Sequence, residues 1–131
     1  MVSNLLSWSQ VVLPTAAVVQ NLKPNWPKMK EISSRGVIAT ALVGPDDVAR
    51  DETLMSCDFV SRFFGAGFDD TREDPVTGSA HCTSAPYWAK IIRRDSLKAC
   101  QVSLEQRVIL TYILMFFHVG CVILVEVEAY E

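Results

Sequence analysis

The middle of the sequence predicts a strand that leads through a polar loop into a helix, and this succession limits the folds that the chain can adopt. Residues 57–64 (CDFVSRFF) alternate over a length typical of a strand. The two faces of that strand carry Phe59, Ser61 and Phe63 on one side and Asp58, Val60 and Arg62 on the other. From Ser79 onward the pattern becomes helical instead, with Ala80, Ser84, Trp88 and Ile91–Ile92 on one face. The chain is therefore expected to pack a helix of about residues 79–94 against strands.

Short apolar runs predict the other strands. Residues 11–13 (VVL) and 16–19 (AAVV) are split by Pro14 and indicate edge-strand material, because proline cannot donate to a strand ladder. Residues 36–43 (GVIATALV) form a near-continuous apolar run with turn residues at both ends, which predicts a buried strand. Residues 101–103 are expected to begin a further strand.

Three segments outside these strands have their own signals. Trp26, Met29 and Ile32 recur at three-residue spacing, so residues 26–32 predict a short helix with Pro27 in its first turn. The acidic stretch of residues 46–52 is expected to be an exposed loop. Pro86 falls inside the helix that begins near Ser79, where a proline removes a hydrogen bond and is expected to introduce a kink.

The last part of the chain contains eighteen consecutive residues, Val108–Val125, without a charged side chain. Three interpretations remain open: a membrane-spanning segment, two closing strands folded at Val119–Gly120, and one buried helix. The flanking charged residues are not typical membrane anchors, which disfavours the membrane interpretation. Those flanking residues are Glu105, Arg107, Glu126 and Glu128.

Charge and cysteine usage narrow the class of protein. The net charge is −3, and no basic cluster exceeds Arg93–Arg94, which argues against a nucleic-acid partner. The four cysteines show no CxxC spacing, so buried free thiols are expected rather than a disulfide framework or a metal site. The first residues lack a basic region followed by a long apolar stretch, which predicts no signal peptide and a cytoplasmic location.

The candidate functional residues lie in the segment Glu73–His81 (EDPVTGSAH). Backbone N–H groups at Gly78, Ser79 and Ala80 would point out of the start of the following helix, where the helix dipole favours an anion such as a carboxylate or phosphate. Gly78 allows a ligand to approach the backbone closely, and Ser79 is a good N-cap residue. The sequence thus predicts an anion-binding turn.

Asp74 lies just before this turn and is held there by Pro75. A carboxylate that faces a bound anion is suited to proton transfer. The alternative is that Asp74 only caps the turn and Ser79 only caps the helix. Such caps are far commoner than active sites, so spacing alone favours the structural interpretation.

The stretch EDPVTGSAHC, followed by APYWA, is very similar to the signature of phenazine-biosynthesis PhzF-like proteins. Further matching segments come in the order and at about the spacing of that family, and the resemblance covers roughly residues 16–103. These segments are residues 21–25 (NLKPN), 35–40 (RGVIAT), 58–64 (DFVSRFF) and 97–103 (LKACQVS).

The resemblance implies an α+β, diaminopimelate-epimerase-like fold, in which two lobes each wrap a curved, mostly antiparallel sheet around a central helix. Residues 1–104 would form a partial C-terminal lobe, and residues 105–131 a divergent apolar tail of closing strands or a helix. The central helix would be the one at about residues 79–94, with the active site between the lobes.

The same resemblance implies a cofactor-free isomerase or epimerase that moves a proton beside the carboxylate of a small molecule. Asp74 would be the catalytic acid, and Gly78, Ser79 and Ala80 would contact the substrate carboxylate. Glu73 and His81 are secondary candidates, and a structural role for His81 is at least as well supported.

One departure bears on activity. The catalytic glutamate of the family and another histidine belong to the N-terminal lobe, which no segment of this chain matches. Proton transfer between two positioned groups fails when one is missing, so activity of the chain alone is not expected. A complementary lobe or a second copy is expected to complete the cleft. The alternative is a non-catalytic binding or scaffold protein that retains the fold.

Overall fold

One mixed sheet organises the chain in the computed structural model, which describes residues 8–66, 72–75, 77–103, 107–117 and 120–130. The strands are β1 (Trp8–Val12), β2 (Gly36–Leu42), β3 (Phe59–Gly65), β4 (Glu73–Asp74), β5 (Ser96–Val102), β6 (Arg107–Phe117) and β7 (Gly120–Tyr130). The helices are α1 (Ala16–Gln20), α2 (Trp26–Met29), α3 (Pro45–Arg50) and α4 (Gly78–Ile92). A 3₁₀ turn covers Glu52–Leu54.

The strands follow the order β1-β2-β3-β5-β6-β7, and β4 pairs with one end of β3. The pairs β1–β2 and β3–β5 are parallel, and the remaining described pairs are antiparallel. Parallel neighbours need a crossover connection, and α4 lies in the crossover between β3 and β5. The chain is therefore an α+β protein with a mixed sheet.

Helix α4 packs on one face of β3 and its neighbours β2 and β5, and the predicted alternation of β3 is confirmed. Phe59 packs with Trp88 and Ala85 of the helix, and Phe63 packs with Ala80 near the helix start. Polar contacts fix the helix along its length, since the Trp88 indole N–H donates to the Thr40 hydroxyl at 2.9 Å. The Ser84 hydroxyl donates to the Gln10 side chain at the same separation, 2.9 Å.

On the opposite face, residues of β2, β3 and β5 are buried as well. Its core unites the alternate residues of the strands with α1 and the 3₁₀ turn, and its members include Ala39, Ala41, Val60, Phe64, Cys100, Val102, Ala16, Val19 and Leu54. A sheet that is covered on both faces needs apolar residues at nearly every position. This explains the near-continuous apolar run that correctly predicted β2 as a buried strand.

Two segments differ from the sequence predictions. Residues 16–20 form a helix rather than edge-strand material, because the Thr15 side chain accepts a hydrogen bond from the Val18 N–H and so caps the helix start. The acidic stretch expected as an exposed loop begins instead with α3, whose Asp47 is only 5% exposed. Asp47 is drawn inward because its carboxylate accepts hydrogen bonds from the Ala17 and Gly44 N–H groups, both at 3.0 Å.

The predicted helix near Ser79 is confirmed with shifted bounds. It begins at Gly78 with Thr77 as the N-cap, so Ser79 lies inside the first turn rather than at the cap. It ends at Ile92, before Arg93, which adopts a left-handed backbone with φ of 60°. Pro86 lies within it as predicted. Helix α2 stops at Met29, short of the predicted Ile32.

The uncharged tail forms the last two strands of the sheet. β5 starts at Ser96 rather than at Gln101 and pairs with β6, and β6 pairs with β7 from Arg107↔Tyr130 to Phe117↔Gly120. The strand-pair interpretation is therefore confirmed, and the buried helix is wrong; Val119, where the turn was expected, lies outside the described residues. Among the described residues, no helix is both long and apolar enough to cross a membrane.

Candidate functional site

Thr77 occupies the centre of the candidate site, and backbone and side-chain hydrogen bonds hold it. Its backbone N–H donates to the Gln101 side-chain oxygen Oε1 at 2.8 Å. Its hydroxyl donates to the Asp74 carboxylate oxygen Oδ2 at 2.8 Å. Its carbonyl oxygen lies 2.9 Å from Nδ1 of His81. The residue that links the loop to α4 is thus fixed at its nitrogen, its oxygen and its side chain.

Two polar residues beneath Thr77 come from neighbouring strands. Ser61 of β3 and Gln101 of β5 are direct partners in the parallel pairing, and both are almost fully buried. Polar side chains at such positions are normally hydrogen-bonded, and here both bond to the start of α4, since Ser61 contacts His81 and Gln101 contacts Thr77. The sheet therefore supports the site from below through these two side chains.

His81 connects Ser61 to the Thr77 carbonyl. A carbonyl can only accept, so Nδ1 carries the proton, and Nε2 accepts from the Ser61 hydroxyl at 2.8 Å. Burial lowers the pKa of His81 from 6.5 to about 4, although its hydrogen bond to Thr77 acts in the opposite direction. The imidazole is therefore neutral at pH 7, and these contacts favour a structural role for His81.

Glu73 and Asp74 are neighbours in the chain but serve opposite faces of the sheet. In the short strand β4, Glu73 pairs with Phe64 and Asp74 pairs with Phe63, and successive residues of a strand point to opposite sides. Asp74 therefore lies on the side that α4 covers. Glu73 lies on the other side, where α1 packs.

Arg62 holds Glu73 there in a two-pronged ion pair, with separations of 2.7 Å from Nε to Oε1 and 2.8 Å from Nη2 to Oε2. The same guanidinium donates through Nη1 to three backbone carbonyls at the end of α1, those of Val19, Gln20 and Leu22. Planar, fork-shaped pairing of this kind is among the stronger ion-pair geometries. These contacts give Glu73 a structural role.

The start of α4 is open. Gly78 and Ser79 are exposed, whereas the side chain of Ala80 is buried against Ile38 and Phe63. A Cβ atom added at Gly78 would meet no described atom within 4 Å. Thr77 makes no side-chain capping hydrogen bond in the described structure. The first N–H groups of a helix have no carbonyl partner within it, so this end is suited to bind an anion.

Asp74 stands at the edge of this opening. It is half-buried, and Thr77, the residue directly before Gly78, donates to its carboxylate. The structure therefore brings together the residues Asp74, Gly78, Ser79 and Ala80 that the sequence singled out. It separates Glu73 from them and places His81 beneath them.

Sequence reasoning missed Gln101, Ser61 and Arg62 as parts of this arrangement. A signal was present, because Ser61 and Arg62 interrupt the apolar residues of β3, and Gln101 lies between the apolar residues Cys100 and Val102 of β5. The prediction of buried thiols outside disulfides is confirmed for Cys57 and Cys100. Cys82, in the first turns of α4, is also free but exposed.

The sequence of the chain is similar to a protein-family model and to several curated proteins. The family model described as phenazine biosynthesis-like protein matches residues 2–109. An uncharacterized isomerase of Pseudomonas aeruginosa is 39% identical over 93 residues, which make up 71% of this chain and 31% of that protein. The human phenazine biosynthesis-like domain-containing protein is 31% identical over 85 residues, 65% of this chain and 29% of that protein. The matched segment is thus about a third of the length of these relatives.

Solved structures of phenazine biosynthesis proteins are also similar to this chain. A phenazine biosynthesis PhzF-family protein of Enterococcus faecalis superimposes with a TM-score of 0.72 at 31% identity, over 93% of this chain and 42% of that one. A PhzC/PhzF protein of Clostridium difficile gives a TM-score of 0.71 at 29% identity, with the same coverage of 93% and 42%. With a family model that matches most of its length and relatives that are named isomerases, the chain belongs to the phenazine biosynthesis-like protein family.

Proposed function

We propose that this chain is the carboxylate-binding lobe of a cofactor-independent isomerase or epimerase, which moves a proton beside the carboxylate of a small molecule. The observation that carries the proposal is the open start of α4 with Asp74 at its edge. The relatives named as isomerases support the reaction class. The covered sheet and crossover helix are consistent with one lobe of a diaminopimelate-epimerase-like fold.

In this proposal the helix start orients the substrate. The N–H groups of Gly78, Ser79 and Ala80 receive the substrate carboxylate, aided by the positive end of the α4 dipole. The exposed Ser79 hydroxyl adds a donor. A carboxylate held in this way stabilises negative charge that develops on the neighbouring carbon once its proton leaves.

Asp74 is the proton-transfer group on this side of the substrate. One C–H bond beside the carboxylate breaks, and its proton passes to a carboxylate base. A proton then returns to the opposite face of that carbon or to a conjugated carbon, so no electron is gained or lost overall. A transfer of this kind needs two positioned groups, one to remove and one to deliver the proton. We assign one of them to Asp74.

The second group is proposed to come from a complementary lobe or a second copy of the chain. Glu73 is bound by Arg62, and His81 is buried between Ser61 and Thr77, so neither is placed to take that part. Because both side chains are engaged in structural contacts, the arrangement also favours a second candidate function, the binding of a carboxylate without turnover.

Isotope exchange tests the proposal. The protein is incubated in D₂O with a panel of α-amino acids, 2-hydroxy acids and unsaturated cyclic carboxylates, and proton NMR follows deuterium entry beside each carboxylate. Asp74→Asn is expected to abolish exchange. The matched control Asp46→Asn changes an exposed aspartate in the first turn of α3 and is expected to preserve exchange.

The outcomes separate the candidates. Exchange that depends on Asp74 supports the isomerase. Carboxylate binding without exchange supports the binding protein. A chain that neither exchanges nor binds any of these acids contradicts both.

A further inference from the structure

The orientation of the buried Gln101 carboxamide is fixed by partners that can act in only one way. The Thr77 N–H can only donate, so the atom 2.8 Å from it must be the acceptor Oε1. The Asp74 carbonyl can only accept, so the atom 2.7 Å from it must be the donor Nε2. Both contacts agree on a single orientation of the amide.

This orientation determines where the Thr77 hydroxyl proton points. Nε2 of Gln101 also lies 3.2 Å from the Thr77 hydroxyl oxygen, to which it can only donate. The hydroxyl thus accepts from Gln101, and its one proton is directed to the Asp74 carboxylate at 2.8 Å. A directed chain of hydrogen bonds runs from Gln101 through Thr77 to Asp74, and bonds in such chains strengthen one another.

The same hydroxyl is withheld from the cap of α4. An N-cap threonine ordinarily accepts from the N–H groups of the first turn, and Thr77 makes no such bond in the described structure. Helix α4 therefore lacks the stabilising side-chain cap that a threonine at this position usually provides. As a result, the helix start stays open, and hydrogen bonds through Thr77 connect the Asp74 carboxylate to Gln101 of β5.

We propose that Gln101 is the positioning residue of this site, acting through Thr77 to hold the Asp74 side chain in one orientation beside the start of α4. The catalytic consequence rests on the proposed function of Asp74, whereas the orientation of its side chain does not. Gln101 itself does not touch the substrate. Its contribution is to keep the proton-transfer group within reach of a carbon whose carboxylate the helix holds.

Three variants and a matched control test this inference. Thr77→Val removes only the hydroxyl and keeps the side-chain shape, and Thr77→Ser restores a hydroxyl. Gln101→Met removes both ends of the carboxamide. Thr40→Val is the control, because the buried Thr40 hydroxyl likewise accepts one hydrogen bond, from Trp88, and donates one, to the Val60 carbonyl.

The first readout is the pair of Hα–Hβ coupling constants of Asp74, measured by NMR. The wild type, Thr77→Ser and Thr40→Val are expected to show one rotamer, and Thr77→Val and Gln101→Met to show averaged couplings. Unchanged Asp74 couplings in Thr77→Val would overturn the inference, even if Gln101→Met failed to fold.

The second readout separates positioning from stability. With the most active acid of the exchange panel, Thr77→Val is expected to slow deuterium entry by about 10- to 100-fold, the size of effect that a small misplacement produces. The dissociation constant for benzoate is expected to change less than about twofold, because the helix N–H groups remain. Slowed exchange in Thr40→Val to the same extent would indicate a general loss of stability and contradict the inference. If the wild type neither exchanges nor binds, the proposed function fails, and the Asp74 couplings still decide the positioning role.

Discussion

The starts of α1 and α4 both present backbone N–H groups that have no carbonyl partner within the helix. The two helix starts differ in what lies against these groups. At α1 the Thr15 side chain accepts from the Val18 N–H at 3.2 Å, and the Asp47 carboxylate accepts from the Ala17 N–H at 3.0 Å. At α4 the N-cap Thr77 turns its hydroxyl to Asp74 instead. The first helix start is closed by a carboxylate of the protein, and the second is the start that we propose binds a carboxylate from outside.

Helix length explains why the two ends can differ. Helix α1 has only 5 residues, and a helix so short is unstable without tertiary support. It is held at its other end too, because Arg62 binds the carbonyls of its last residues. Helix α4 has 15 residues and buries one face against the sheet, so it can dispense with a cap. The open end thus depends on packing elsewhere in the helix.

The largest expected effect lies at the closed helix. Arg62→Leu leaves Glu73 without its partner and removes the donor from three carbonyls, so the free energy of unfolding is expected to fall by about 3–5 kcal/mol. Urea denaturation measures this value. Arg94→Leu is the control, because Arg94 is half-exposed and pairs with Asp58 at the surface, where such pairs contribute at most about 1 kcal/mol. Equal losses in both variants would mean that Arg62 does not close α1.

Acid is expected to act next, through the neutral His81 that supports α4. The unfolded chain takes up a proton near pH 6.5, but the folded chain does so only near pH 4 because the imidazole is buried. The unfolded state therefore holds more protons between these values, and stability falls as the pH drops from 6.5 to 4. The loss is about 3 kcal/mol, and urea curves at several pH values measure it. His81→Gln cannot titrate and should lose this dependence; a variant that keeps it would show that another group is responsible.

Asp47 tests the closing carboxylate directly. Although burial acts to raise its pKa, hydrogen bonds from Gly44 and Ala17 hold the pKa below the ordinary 3.8. Its stabilisation is present above 3.8 and lost as the pH falls through the lower folded value, a window more acidic than that of His81. Asp47→Asn puts an N–H₂ group against a donor and is expected to cost about 2 kcal/mol at pH 7. The exposed Asp46→Asn should cost little, and similar losses in both would contradict the assigned role.

Substitution of Gly78 is expected to have the smallest effect on stability, and Gly36 provides the comparison. A Cβ at Gly36 would lie 2.2 Å from the Phe63 ring, whereas one at Gly78 meets no described atom within 4 Å. Gly36→Ala is therefore expected to destabilise the protein by about 1–3 kcal/mol. Gly78→Ala should leave thermal stability unchanged or raise it by up to about 1 kcal/mol, while weakening carboxylate binding. A marked loss of stability in Gly78→Ala would show that the glycine serves the fold rather than a ligand.

The sequence predicted those parts of the fold that depend on local pattern. The faces of β3 followed from period-two alternation, and β2 followed from an apolar run that is buried on both sides. Residues 16–19 were misjudged because a run of four apolar residues has no decisive period. Helix α1 is stabilised partly by Asp47, thirty positions further along the chain, and no local signal reports such a contact.

The candidate site divides in the same way. Asp74, Gly78, Ser79 and Ala80 are contiguous in the chain, so their proximity could be predicted from the loop and the helix start. Gln101 is 24 positions from Thr77, and Ser61 is 20 from His81; strand pairing alone brings them beneath the helix. The separation of Glu73 from Asp74 likewise depends on the pairing of β4 with β3, which no local sequence pattern reports.

An NMR titration decides directly whether the start of α4 binds a carboxylate. ¹⁵N NMR follows the backbone amides while the protein is titrated with benzoate and, separately, with benzamide, which has nearly the same shape but no charge. Benzoate is expected to shift the amide signals of Gly78, Ser79 and Ala80, and benzamide is not. The Ala17 amide, which is bonded to Asp47, is expected to respond to neither compound. Equal responses to both compounds, or benzoate shifts that spare the start of α4, would contradict the proposed carboxylate site.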